Sequence, residues 1–218
     1  MVMSLAQVQS SLDLKEGVRL YPGLLGRDQQ LGLKKDIDDL ADQSPYFQPI
    51  MPRTGRPFSV TMTNAGPLGW VSDKDGYRYS HRHPVTGQPW PTIPSALLKL
   101  WSEVTSCDVL PECCLINRYG RKEARMGLHQ DRDEKTFDAP VLSVSLGDSA
   151  VFRVGNTTRH GPTQSVRLNS GDVILLFGPG RLLFHGIDRI LFGSSTLIPG
   201  GGRLNITLRR VTPFGDEV

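Results

Sequence analysis

Three residues in this sequence have the types and spacing to hold a transition metal: His129, Asp131 and, far downstream, His185. On an extended strand, residues two apart project to one face, so a His-x-Asp step delivers an imidazole nitrogen and a carboxylate oxygen into a single cavity. A distant histidine can close the set. Two histidines and one carboxylate on one face of a metal leave its other positions open, which is the arrangement of non-haem Fe(II) oxygenases. The triplet alone is common by chance and takes its weight from context.

That context begins with Arg203-Leu204-Asn205-Ile206-Thr207-Leu208-Arg209, which alternates strictly: Arg, Asn, Thr, Arg on one side and Leu, Ile, Leu on the other. The plain alternative is a surface strand with its polar face in water. If instead this strand and the segment carrying His185 line one cavity, the two arginines form an interior cationic wall, tolerable only when paired with an anion. Guanidinium groups grip carboxylates with two parallel hydrogen bonds. An open-sided metal beside an arginine clamp calls for a small dicarboxylate co-substrate.

These residues need elements to position them. Residues 27–43 read as an amphipathic helix with Leu33, Ile37, Leu40 and Ala41 on one stripe. A second helix begins near Pro94 and carries Leu97, Leu100, Trp101 and Val104 inward, after a rigid Pro-rich connector. From Cys113 the texture becomes short apolar or alternating runs. Strands are expected over 113–119, 125–131, 141–146, 149–154, 164–168, 172–177, 182–187 and 203–211, with turns at Gly147-Asp148, Gly155-Asn156 and Ser170-Gly171. About eight short strands behind two helices fit a mostly β fold, a double-stranded β-helix or jelly roll whose interior can house a metal. The expected organisation is a single domain over 1–218. It has helical support over about 20–55, an outer flap over about 56–88 with Trp70, Tyr77 and Tyr79, and a barrel core over about 113–211.

At 218 residues the chain suffices for one sizeable core. A formal charge of +3 is too mild to argue for a nucleic-acid partner, although Arg118, Arg121, Lys122 and Arg125 cluster just ahead of His129 where they could meet phosphates. A solvated basic loop explains the same cluster. Cys107, Cys113 and Cys114 lack the spacing of a zinc knuckle and read as free thiols in a reducing compartment. Met1 to Ser11 has no secretory pattern and no apolar run reaches membrane-spanning length, so a cytoplasmic protein is expected; a monomer is the expected state, though no residue pattern fixes it.

Read together, several blocks resemble the AlkB family of oxidative DNA-dealkylation enzymes, and its bacterial members most. They are Leu115-Ile116-Asn117-Arg118-Tyr119, Leu128-His129-Gln130-Asp131-Arg132-Asp133-Glu134, Ser143-Val144-Ser145-Leu146-Gly147, Phe184-His185-Gly186-Ile187, and Arg203 to Arg209. Upstream, Met62-Thr63-Asn64, Leu68-Gly69-Trp70, Gly76-Tyr77 and Pro89-Trp90-Pro91 extend the likeness. Ordered agreement over many blocks is far more specific than any one of them. The resemblance implies that His129, Asp131 and His185 hold Fe(II), with O2 as co-substrate. It implies a 2-oxoglutarate site built from Asn117, Arg118, Tyr119, Arg203, Asn205, Thr207 and Arg209, in which Arg209 takes the distal carboxylate. Met62, Trp70, Tyr77, Tyr79, Asp133 and Arg159 fall where family members meet the damaged nucleotide.

The implied activity is demethylation of bases such as 1-methyladenine and 3-methylcytosine in DNA, coupled to conversion of 2-oxoglutarate to succinate. Such bases are cationic near neutral pH, which suits the face of Trp70 and a carboxylate at Asp133. Asp133 shares strand parity with His129 and Asp131. The reacting atom lies on the pairing edge, so the DNA must be single-stranded or present a flipped base. Other readings keep the same residues: the same chemistry on RNA, protein or a small molecule, or a metal-binding nucleic-acid module without catalysis. His81-x-His83 lacks a carboxylate at ligand spacing, His160 reads as a loop histidine, and Gly178-Pro179-Gly180-Arg181 lacks the Lys-Ser/Thr of a phosphate cradle.

Overall fold

The computed structural model describes residues 10–216; residues 1–9, where the sequence lacks a secretory pattern, lie outside that range. Two antiparallel sheets face each other. The larger has seven strands in the order β1-β2-β11-β8-β13-β6-β3, and the smaller has four in the order β10-β9-β12-β7. The larger comprises β1 (Leu12–Lys15), β2 (Val18–Tyr21), β3 (Thr61–Ala65), β6 (Cys113–Tyr119), β8 (Val141–Gly147), β11 (Val173–Leu176) and β13 (Arg203–Arg209). The smaller comprises β7 (Met126–His129), β9 (Ser149–Val154), β10 (Gln164–Leu168) and β12 (His185–Leu191). A separate hairpin, β4 (Gly69–Asp73) with β5 (Gly76–Ser80), stands over one end. The arrangement is the expected double-stranded β-helix.

Two helices cover the outer face of the larger sheet. Helix α1 (Arg27–Gln43) buries Leu33, Ile37 and Leu40, while Ala41 is only partly covered; α2 (Ser95–Thr105) buries Leu97, Leu100, Trp101 and Val104. They share one core cluster with Leu204, Ile206 and Leu208, the apolar half of β13. The polar half of that strand therefore faces the smaller sheet. Because the second sheet covers that face, Arg203, Thr207 and Arg209 lie in an interior and not in water.

The structure corrects several sequence expectations. Strands β1 and β2, largely ahead of the helical support expected from about residue 20, continue the larger sheet beyond β11; no strand was expected there, and each is four residues long and too short to show an alternation. β3 pairs with β6 in the larger sheet, so of the expected flap only the β4–β5 hairpin stands apart from the barrel. The expected strand over 182–187 begins only at His185, because a 3-10 turn at Gly178–Gly180 delays it. The expected strand over 125–131 ends at His129, so Asp131 and Asp133 follow it in coil.

Candidate active site

The two histidines that could ligate a metal are brought together by sheet register. β12 pairs antiparallel with β7 so that His185 stands directly opposite His129, and their ring centroids are 4.6 Å apart. Asp131 arrives by a different route. Beyond the end of β7, Gln130 Nε2 donates to the Leu182 carbonyl at 2.7 Å and Arg181 Nη1 donates to the Asp131 carbonyl at 2.8 Å. These two bonds do the work of a ladder and turn the Asp131 carboxylate toward the histidines. His129 Nε2 lies 3.7 Å from Oδ1, and His185 Nε2 lies 3.8 Å from Oδ2. One ligand atom from each of the three residues falls within 4.8 Å of the others.

Tautomers follow from the backbone. His129 Nδ1 sits 2.9 Å from the Gly127 carbonyl and His185 Nδ1 2.9 Å from the Leu183 carbonyl. A carbonyl only accepts, so each Nδ1 carries the proton and each Nε2 presents its lone pair to the cavity. Burial and the neighbouring His129 push the His185 imidazole down to about 4, against the pull of Asp131, so it is neutral near pH 7. Burial alone would raise the Asp131 carboxyl, but Arg209 above all holds it well below the usual carboxylate range. Two imidazole nitrogens and one carboxylate are a donor set that fits Fe(II).

A cavity of about 420 Å³ extends from this triad into the barrel. Register on β13 furnishes its polar wall: Arg203 pairs with Tyr119, and Asn205 with Asn117, across to β6, so all four share the inner face with Thr207 and Arg209. The two arginines are partnered differently. Arg209 Nη2 lies 3.0 Å and its Nε 3.2 Å from Asp131 Oδ2, with Glu134 Oε1 at 3.4 Å from Nε. Arg203 has the Ser145 hydroxyl at 3.0 Å and the Tyr119 ring at 5.3 Å, while its Nε and Nη1 have no acceptor. Burial disfavours its charge. An orphaned buried donor costs about 1–3 kcal/mol. A bound carboxylate would relieve both Arg203 nitrogens; Arg209 leaves one nitrogen, Nη1, without an acceptor, and the acceptor Oδ1 of Asn117 also lacks a partner.

Arg118 does not belong to this wall. With Asn117 and Tyr119 turned inward, the pleat turns Arg118 outward, where it is exposed and stacks over the Tyr46 ring at 5.5 Å. At the cavity mouth, Trp70 on β4 stacks on Tyr77 of β5 at 5.6 Å and 18° between ring planes, and its Nε1 donates to Asp133 Oδ2 at 2.8 Å. Strand parity does not place Asp133, since it lies in coil; the indole bond does. Asn64 on β3 holds the Trp70 backbone by two hydrogen bonds. Met62, Tyr79 and Arg159 also line the cavity. The Tyr79 hydroxyl, however, is committed to Glu134 Oε1 at 2.6 Å. Glu134 and Arg181 were the residues sequence reasoning passed over. The only signal for Glu134 was the charged run Asp131-Arg132-Asp133-Glu134, which also suits a solvated loop, and Arg181 had none.

The other candidates lie apart. His83 is buried under the hairpin base, its Nε2 2.8 Å from the Pro45 carbonyl, and His81 Nδ1 meets the Pro67 carbonyl; among the described residues only the His129 triad gathers metal-binding groups. Cys113 and Cys114 are buried free thiols, and Cys107 is a partly covered one.

Residues 17–209 match the model of the 2OG-Fe(II) oxygenase superfamily. The chain is 53% identical over 206 residues to the alpha-ketoglutarate-dependent dioxygenase AlkB homolog of Caulobacter vibrioides, covering 94% of this chain and 93% of that protein. The chain belongs to the AlkB family. AlkB of Escherichia coli is 41% identical over 182 residues, 82% of this chain and 83% of its own. The solved structure of OsALKBH1 superposes with a TM-score of 0.80 at 28% identity, covering 92% of this chain and 99% of that one. As an AlkB-family member the protein is an Fe(II)- and 2-oxoglutarate-dependent dioxygenase that uses O2. No helix among its described residues is long and apolar enough to cross a membrane.

Proposed function

We propose that this AlkB-family enzyme removes N-methyl groups from cationic bases, such as 1-methyladenine and 3-methylcytosine, in DNA. The observation that carries the reading is the β4–β5 hairpin, which sets Trp70, Tyr77 and the Asp133 carboxylate at the mouth of the cavity that ends in the His-Asp-His triad. An indole face and a carboxylate both favour a methylated, positively charged ring over its neutral parent. The methyl groups concerned lie on the base-pairing edge. A base must therefore leave the stack, or come from a single strand, to enter.

His129, Asp131 and His185 would hold the iron through the two Nε2 atoms and the carboxylate. The metal supplies, with O2 and 2-oxoglutarate, an oxidation that decarboxylates the keto acid to succinate and hydroxylates the methyl group, which then leaves as formaldehyde. The chain's own contribution is orientation and charge. Arg203, with two unpartnered guanidinium nitrogens, would receive the distal carboxylate of 2-oxoglutarate beside Tyr119, while Asn117 and Asn205 flank it. Arg209, already bound to Asp131, is a poor partner for that carboxylate. This reverses the assignment of the two arginines expected from the sequence. Arg118, on the outer face, takes no part. Arg132 and Arg159, exposed around the mouth, suit contact with the phosphates on either side of the extruded base.

Product analysis tests the reading. A single-stranded DNA oligonucleotide carrying one 1-methyladenine, incubated with Fe(II), 2-oxoglutarate and O2, is expected to yield formaldehyde and succinate in equal amounts. Succinate without formaldehyde would move the substrate to another class of molecule, and neither product would reject the reading.

A further inference from the structure

Four charged groups below the hairpin close a buried ring that the metal site does not by itself require. Asp131 and Glu134 supply two carboxylates; Arg209 and Arg181 supply two guanidinium groups. Arg209 Nη2 lies 3.0 Å from Asp131 Oδ2 and its Nε 3.4 Å from Glu134 Oε1. Arg181 Nη2 lies 3.2 Å from Glu134 Oε2, and its Nη1 donates to the Asp131 carbonyl at 2.8 Å. All four residues are buried, and their formal charges cancel. The hairpin reaches the ring through the Tyr79 hydroxyl, which donates to Glu134 Oε1 at 2.6 Å from strand β5. Burial pushes that phenol well above its ordinary range, so it stays a donor.

The two oxygens of Glu134 thus have distinct duties. Oε2 faces Arg181 in an ion pair without hydrogen-bond geometry. Oε1 is shared between the hairpin's hydroxyl and the Arg209 Nε. While Tyr79 occupies Oε1, Arg209 sits closer to Asp131 than to Glu134. Withdraw the hydroxyl, and Oε1 competes for the same guanidinium in a setting of low dielectric, where such competition is strong. The orientation of a metal ligand is then tied to where the hairpin sits.

We propose that Tyr79 and Glu134 are positioning residues that couple seating of the β4–β5 hairpin on a base to the orientation of Asp131. The inference rests on the reading of the hairpin as the base-recognition element. The coupling gives the enzyme a physical reason to oxidise only when a base is in place. With the hairpin seated, Asp131 is aligned by Arg209; with it displaced, Glu134 draws Arg209 away.

Cobalt(II) in place of iron gives a visible absorption spectrum that reports ligand geometry without turnover. Saturating the cobalt-loaded wild-type enzyme with the methyladenine oligonucleotide is expected to change that spectrum, and Tyr79→Phe, which keeps the ring and removes one hydroxyl, is expected to lose the change. With iron at saturating oligonucleotide, the ratio of succinate to formaldehyde should rise by about tenfold in Tyr79→Phe, the scale of one hydrogen bond to a charged group. Glu134→Gln should act in the same direction but leaves two guanidinium groups to one carboxylate and can fail to fold, which is why the tyrosine variant decides. A spectrum that responds equally in Tyr79→Phe and wild type, or a wild-type spectrum indifferent to a bound oligonucleotide, overturns the coupling while leaving the substrate reading intact. Failure of the wild-type enzyme to bind the oligonucleotide removes both.

Discussion

The two ends of β13 carry the same residue type in opposite circumstances. Arg203 and Arg209 are six positions apart, about 20 Å along the strand, and both are buried. Arg209 has two carboxylates of its own chain within 3.4 Å. Arg203 has a hydroxyl, an aromatic ring and two unused donors. A buried cation with its counter-charge supplied by the chain is part of the structure. One without suits the proposed role of receiving an anion that comes and goes. The comparison teaches that sequence spacing can put an arginine on the correct face, but only the neighbours decide what it is for.

The largest effect is expected at the end whose counter-charge the chain supplies itself. Arg209→Ala leaves Asp131 and Glu134 buried with Arg181 as their remaining cation, and removing one partner of a buried pair costs about 3–5 kcal/mol. Urea unfolding of the metal-free protein should show a loss of that size, together with weaker cobalt binding in a direct titration. A midpoint near wild type would mean that Arg209 is not the structural member of the pair.

Arg203→Met should do the reverse. A hydrophobic side chain of similar length removes two orphaned donors, so stability without 2-oxoglutarate should hold or improve. The 2-oxoglutarate requirement should nevertheless rise by about a hundredfold, a loss on the scale of one charge-assisted clamp. Thermal stabilisation by added 2-oxoglutarate should vanish in this variant alone. An unchanged requirement in Arg203→Met, with a large rise in a folded Arg209 variant, would return the distal carboxylate to Arg209.

How much of this was legible beforehand differs along the chain. The inner face of β13 was readable because Arg, Asn, Thr and Arg alternate with Leu, Ile and Leu, and His185 could be matched to His129 because both needed a metal-side partner. The outward turn of Arg118 was also readable, since strand parity cannot put 117, 118 and 119 on one face. Asp131 does meet the two histidines, but not by the strand parity expected of it: it lies past the end of β7 and is aimed by Arg181 and Gln130. Nothing local announced that ring of charges. Glu134 and Arg181 are loop residues 47 positions apart in sequence, each ordinary by itself, and their meaning exists only after the 3-10 turn brings them together. The four-residue strands β1 and β2 were hidden for want of length, their sheet positions being set by pairing with β11 and not by any pattern of their own.

A smaller effect is expected at the hairpin, away from both arginines. Trp70→Ala removes the ring that stacks on Tyr77 and bonds Asp133. Stacking on one base is worth about 1–3 kcal/mol, so the half-saturating concentration of methylated oligonucleotide should rise by about tenfold or more. The 2-oxoglutarate requirement should not move. A matching change in both would mean that Trp70 holds the cavity together and does not read the base.

The smallest effect sharpens the comparison from outside the barrel. Arg118 neighbours two proposed 2-oxoglutarate contacts in sequence, Asn117 and Tyr119, yet its guanidinium lies on the opposite face over the Tyr46 ring. Arg118→Ala should therefore cost no more than an exposed cation–π contact, about 0.5–1 kcal/mol, readable as a small shift in the urea midpoint. The 2-oxoglutarate requirement and the succinate-to-formaldehyde ratio should both match wild type. The decisive contrast is with Arg203→Met. If the two variants raised the 2-oxoglutarate requirement equally, charge in the neighbourhood, and not a guanidinium seated inside the barrel, would be what draws the keto acid in, and the distinction between the two faces of the sheet would lose its functional meaning.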